Sequence, residues 1–178
     1  MSNYKFQSTK YFGHDRGLSC CFRQWRASHS HCSTLHGYAV SLKLVFEAET
    51  LDDRNWIYDF GNFKKFKEWA EYMFDHTLLI AQDDPELEFF KEMAARSTRT
   101  PKEGETQPFQ RGAVCDLRIV PAVGCEMFSK MAYEKMLEIL EESKKDASNN
   151  RYPVNPNVRL KSVEVAEHAG NSAIFLTE

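Results

Sequence analysis

Cys32 and His36 stand four residues apart in the run Cys32-Ser-Thr-Leu-His36-Gly-Tyr38. A thiol beside a divalent cation or an imidazolium loses its proton more easily, which makes it a base or nucleophile at neutral pH. Imidazoles for a metal are at hand in His14, His29, His31 and His36. A catalytic zinc commonly takes three protein ligands from separate elements and leaves a fourth position open. His14 closes a first strand and His36 opens a second, so antiparallel pairing would bring the two together. The same four histidines also read as solvated side chains of a polar loop. Asp75-His76 offers a carboxylate that can orient and charge an imidazole, giving a proton shuttle; a cation at a helix C-terminus is the competing reading. Glu167 ends the alternating run Val163-Glu-Val-Ala-Glu167 and could accept two hydrogen bonds from an amidine-like edge. Glu126 opens a helix, where an acid also complements the dipole. Arg16, Arg23 and Arg26 could receive phosphate oxygens on their guanidinium forks.

These side chains need elements to hold them. Residues 4–12 read as a first strand ending near Gly13-His14, and residues 15–36 as a long structured loop of the kind that carries function. The stretch 38–47 alternates with period two and is the clearest strand. Residues 56–60 read as a short extended segment after the turn 51–55. Phe63, Phe66, Trp69, Ala70 and Met73 recur at helical spacing, giving a helix over 63–74. Pro85 suits the first turn of a shorter helix through about Ala95. The polar stretch 96–111 reads as a surface loop, 113–123 as a strand, 126–145 as a second long amphipathic helix and 149–157 as a turn-rich loop. Residues 158–167 and 171–176 make a closing hairpin around Ala169-Gly170. Hairpin strands punctuated by two long helices argue for an α+β class.

At 178 residues the chain suits one compact core, read as a single domain over 1–178. A net charge of −3 supplies no basic field for nucleic acid. No apolar stretch reaches the roughly 18 residues of a membrane span, and the first residues lack the apolar core of a signal peptide. Five cysteines, an odd number without a CxxC pair, read as reduced thiols of a cytoplasmic protein. Four of them, all but Cys32, read as small buried hydrophobes.

Taken in order, the motifs resemble the 6-pyruvoyltetrahydropterin synthase / 6-carboxytetrahydropterin synthase family. They are Tyr11-Phe-Gly-His14, Cys32-Ser-Thr-Leu-His36-Gly-Tyr38, Trp56-Ile-Tyr-Asp59-Phe60, Asp75-His76-Thr-Leu-Leu79, Pro121-Ala-Val-Gly-Cys-Glu126 and Val163-Glu-Val-Ala-Glu167. The resemblance implies the tunnelling fold, an antiparallel four-stranded sheet with two long helices on one face. It implies Zn2+ held by His14 and His36, with Cys32 as the catalytic thiol and Asp75 and His76 as its partner dyad. It places Glu167, with Glu126, on the pterin. A homo-hexamer with sites at subunit interfaces follows from it, acting on a small-molecule pterin with no nucleic-acid or membrane partner. The implied reaction converts 7,8-dihydroneopterin triphosphate, in the 6-carboxytetrahydropterin synthase manner, on the route to 7-deazaguanines such as queuosine. The family's His-Gly-His is His36-Gly-Tyr38 here, so Tyr38, His29, His31 or water is left as third ligand. An alignment through Phe22-Arg-Gln-Trp-Arg26 would leave His36 alone; His14 is preferred because it ends a strand and precedes Asp-Arg-Gly-Leu. A non-catalytic or repurposed pterin-binding paralogue with an altered metal site is the alternative.

Overall fold

A computed structural model describes residues 5–96, 114–145 and 151–177. The first sheet is antiparallel throughout. Its strands are β1 (Phe6–Phe12), β4 (Ser41–Ala48), β7 (Arg159–His168) and β8 (Asn171–Leu176), in the order β1-β4-β7-β8. Alternation in β4 turns Leu42, Leu44 and Phe46 inward, where none is exposed, as a sheet with one buried face requires. Two long helices cover that face. Helix α1 (Lys64–Phe74) buries Phe66, Ala70, Met73 and Phe74, and helix α3 (Cys125–Lys145) buries Phe128, Ala132, Met136 and Leu140, each at three- and four-residue steps. Phe128 meets Phe74 edge-on at 5.4 Å, and cutting it to alanine costs about 4 kcal/mol. This is the expected α+β tunnelling architecture, and both long helices lie where the periodicity put them.

A second sheet was not legible beforehand. It has the order β3-β2-β5-β6, from β2 (Ser19–Phe22), β3 (His36–Ala39), β5 (Thr77–Ala81) and β6 (Leu117–Val120). β2 pairs antiparallel with β3, while β2–β5 and β5–β6 are parallel. The stretch 15–36 is therefore not loop throughout: Ser19-Cys-Cys-Phe22 is a strand whose two inward residues, Cys20 and Phe22, are buried. β1 and β2 line up along β4 and β3, broken by a 3-10 turn at His14–Arg16. Only Asp75 and His76 separate α1 from β5, and the chain turns there with His76 at φ 56°. Residues 56–60, expected to be extended, instead lead through turns into a 3-10 helix at Phe60–Phe63. The short helix α2 (Leu87–Ala95) starts two residues after Pro85. The expected strand over 113–123 is only the four residues of β6. Most of the expected 96–111 loop lies outside the described residues. No helix among the described residues is long and apolar enough to cross a membrane.

Candidate functional site

The β2–β3 hairpin carries the Cys-x-x-x-His stretch. Cys32 lies in a 3-10 turn, His31–Ser33, capped by the Ser30 hydroxyl, which accepts the Cys32 N–H at 3.2 Å. The Cys32 carbonyl accepts the backbone N–H of Gln24 at 2.8 Å, which closes this loop. Gly37 sits between the two functional residues of β3 because nothing larger fits. A Cβ there would come within 2.8 Å of the Cys20 carbonyl oxygen. In the ladder Phe22 lies across from His36, and Cys20 across from Tyr38. Their rings gather on one face: Phe22 to His36 at 5.0 Å, Phe22 to Tyr38 at 6.1 Å and His36 to Tyr38 at 5.5 Å.

Glu167 comes to this face from β7. The β7–β8 register slips between Ala166 and His168, and a bulge of this kind re-aims a side chain and often borders an active site. The half-buried Glu167 lies beside Cys125 in the first turn of α3. Burial, then the charges of Glu167 and Glu126, push the Cys125 thiol up to about 12. Tyr38 is also pushed up, by burial first and then by the neighbouring Glu167, Cys32 and Cys125. Its phenol therefore stays protonated and acts as a donor. The structure thus brings Cys32, His36, Tyr38, Glu126 and Glu167 into one corner, with Cys20 and Cys125 beneath.

The Asp75–His76 pair lies where α1 meets β5, next to β2. The His76 ring nitrogen Nδ1 donates to Asp75 Oδ1 at 2.5 Å, and the His76 backbone N–H donates to the Ser19 carbonyl. Both side chains are exposed. His76 lines a cavity of about 620 Å³ with Ser19, Cys20, Gly37, Tyr38, Ala39 and Asp116, so this cavity borders the same β2–β3 hairpin. Strand alternation turns Gly37 and Ala39 away from the face that carries His36 and Tyr38. Of the three arginines, two are already engaged. Arg23 forms a two-pronged pair with the buried Asp84 at 2.7 and 2.8 Å, and Arg26 pairs with Asp83 at 2.5 Å.

His14 sits at the far end of β3 from His36. Its Nδ1 donates to the carbonyl of Ala39, three residues beyond His36 and roughly 10 Å along the strand. Among the described residues, which include all six histidines, no three His, Cys, Asp or Glu side chains converge as a metal site. The rings packed on His36 are a phenylalanine and a phenol, neither a usual zinc ligand, and Cys32 and Glu167 do not converge with His36 as a metal-binding set, which does not fit zinc with its usual three protein ligands. Sequence reasoning missed Phe22, Cys125 and Gln24. The signal was the alternation of Cys20 and Phe22 against His36 and Tyr38, visible only once β2 is recognised as a strand.

Residues 14–178 match the profile of the 6-pyruvoyl tetrahydropterin synthase family. Curated 6-carboxy-5,6,7,8-tetrahydropterin synthases of Rickettsia conorii and Rickettsia felis are each 37% identical to this chain over 57 residues, 32% of its length. The matched stretch spans 41% of each relative. Among solved structures, an uncharacterized protein of Wolinella succinogenes superposes with a TM-score of 0.67 at 20% identity, covering 98% of this chain and 99% of that one. The 6-pyruvoyltetrahydropterin synthase of Plasmodium vivax gives 0.60 at 13% identity, with 97% of both chains covered. These likenesses, at such low identity, concern the fold.

Proposed function

The chain belongs to the 6-pyruvoyl tetrahydropterin synthase family, and from that premise we propose that it is a 6-carboxytetrahydropterin synthase-like lyase. Its substrate on this reading is 7,8-dihydroneopterin triphosphate, on a route to 7-deazaguanines of the queuosine type, in the cytoplasm. The observation that carries the reading is the bulged Glu167, half-buried and facing Tyr38 and the first turn of α3. A carboxylate held there accepts paired N–H groups from an amino-pyrimidine edge with charge-assisted hydrogen bonds.

Cys32, on the adjoining loop, is then placed to move protons on the side chain of the bound pterin. Removal of a side-chain proton leaves its electron pair to form a carbon–carbon double bond as the carbon–oxygen bond to triphosphate breaks. Cleavage of a carbon–carbon bond of the side chain is the further step that separates the 6-carboxy from the 6-pyruvoyl outcome. Asp75 and His76 stand exposed where α1 gives way to β5, which supports a site completed by the dyad of a second copy, within a homo-hexamer. The family resemblance implies zinc, but the residues around His36 do not fit it, and no step is assigned to a metal.

Incubation with 7,8-dihydroneopterin triphosphate, followed by mass spectrometry of the products, tests the reading. A product lacking triphosphate is expected, and Cys32→Ala should slow its formation by about a thousandfold. One observation favours a second reading, a repurposed pterin-binding paralogue: the single imidazole in the Phe22–His36–Tyr38 cluster. Pterin binding without any turnover would establish that reading instead.

A further inference from the structure

We propose that the corner around His36 works without a bound metal ion, because Phe22 and Tyr38 occupy the two places from which further ligands would have to come. The proposal deepens the pterin-site reading and depends on it only for the identity of the ligand. Two positions could reach a metal held on His36 from this face of the hairpin. One is directly across the ladder, and the other is two residues along the same strand. Phe22 fills the first, with 0% exposure and its ring 5.0 Å from that of His36. It offers no lone pair. Tyr38 fills the second, its ring edge-on to His36 at 5.5 Å. A phenol is not among the thiolate, imidazole and carboxylate ligands that zinc takes in proteins.

No other side chain supplies the shortfall: among the described residues, His29 and His31 included, no three His, Cys, Asp or Glu side chains converge. The Thr34 carbonyl, 2.8 Å from His36 Nδ1, can only accept, so Nδ1 carries the proton and Nε2 keeps the one free lone pair. His168, whose ring lies 6.0 Å from Tyr38, is turned the other way. Its Nδ1 accepts the Gly170 N–H at 3.1 Å, which leaves Nε2 protonated. His14 is held against the Ala39 carbonyl at the far end of β3. One imidazole alone makes a weak site for any divalent ion. The work a Lewis acid would do on a substrate oxygen falls instead to the protonated phenol of Tyr38 as a hydrogen-bond donor.

The test reads metal, not activity. Protein purified from zinc-supplemented culture and dialysed is expected to hold less than about one zinc per ten chains by elemental analysis. The double variant Phe22→His/Tyr38→His, with His36 a third imidazole, is expected to take up about one Co2+ per chain with the visible absorption of a tetrahedral ion. Because Phe22 is a core residue, Tyr38→His alone is measured alongside. It should bind Co2+ at least about tenfold more tightly than the wild type. Binding of 7,8-dihydroneopterin to the wild type should change by less than about twofold on adding chelator. Stoichiometric zinc that disappears in His36→Ala overturns the proposal, as does a folded double variant that stays cobalt-free. Metal-free protein that binds no pterin counts for the metal-free corner and against the pterin reading.

Discussion

Glu167, at the β7 bulge, faces Cys125 in the first turn of α3, and its charge opposes ionisation of that thiol. With its thiol pushed up to about 12, first by burial and then by Glu167 and Glu126, Cys125 stays S–H at neutral pH. It is a neutral neighbour of Glu167 rather than a nucleophile. Cys20, across the ladder from Tyr38, is likewise pushed up to about 12, by burial first and then by Cys21, Cys125 and Glu167. Two buried thiols thus floor the corner into which Cys32 and Tyr38 project.

Glu167→Gln keeps the size of the side chain and removes its charge. Hydrogen bonds to a charged partner contribute roughly 1.5–3 kcal/mol, so affinity for a reduced pterin should fall by about ten- to a hundredfold. Fluorescence titration with 7,8-dihydroneopterin measures it. Unchanged affinity would remove Glu167 from the anchoring role.

The raised thiols make a second prediction, in alkylation. With iodoacetamide at pH 8, Cys20 and Cys125 should stay unmodified in the folded protein, as read by peptide mass mapping. Their reactivity should rise only as the pH approaches 12, or on unfolding, because the thiolate is the reacting form. In Glu167→Gln the threshold for Cys125 should move down, since one of the charges opposing its ionisation is gone. Rapid labelling of either residue at pH 8 would show that the corner is open.

The long elements were legible because their periodicity reports burial directly: Phe66, Ala70 and Met73 in α1, Leu42, Leu44 and Phe46 in β4. The short strands were not. β2 is four residues set among polar ones, and its inward pair, Cys20 and Phe22, declares itself only against β3. β5, Thr77-Leu-Leu-Ile-Ala81, is buried on both faces, so it has no alternation to read, and only Asp75 and His76 part it from α1. Missing β2 had a consequence for the site. With 15–36 taken as loop, His14 was the natural partner of His36; with β2 in place, Phe22 holds that position. Glu167 was found from its strand end, but the bulge that aims it depends on pairing with β8, which the sequence of β7 alone does not disclose.

Asp84 makes acid sensitivity predictable. Burial by itself would push its carboxyl up, but hydrogen bonds from Arg23 and from the Glu86 N–H win and hold it below the usual range. A depressed folded value means that the stabilisation is complete above the unfolded value of about 3.9. It is lost as the pH falls through the lower folded one. Asp84→Asn leaves Arg23 unpaired and should cost about 3 kcal/mol at pH 7. That deficit should shrink in urea titrations run below about pH 4, where the unfolded wild type takes up the proton that the folded Asp84 resists. A deficit independent of pH would assign the loss to packing alone.

Gly124, just before α3, takes φ +119°, a conformation that a residue with a Cβ adopts only under strain, and its carbonyl accepts the Phe128 N–H in the first turn of the helix. A Cβ at this position would also stand 2.8 Å from Gln24 Nε2. Gly124→Ala therefore combines two costs, backbone strain of about 1–3 kcal/mol and displacement of the Gln24 amide. For a chain of this size each kcal/mol lowers Tm by roughly 2–4 °C, so a drop of about 3–10 °C is expected in a calorimetric melt. The two costs separate in a double-mutant cycle with Gln24→Ala, which frees the space beside the new methyl without changing φ. If strain dominates, Gln24→Ala recovers less than half of the loss. Full recovery would mean that the backbone at 124 tolerates a side chain, and that the turn into α3 is held by Gln24 rather than by its glycine.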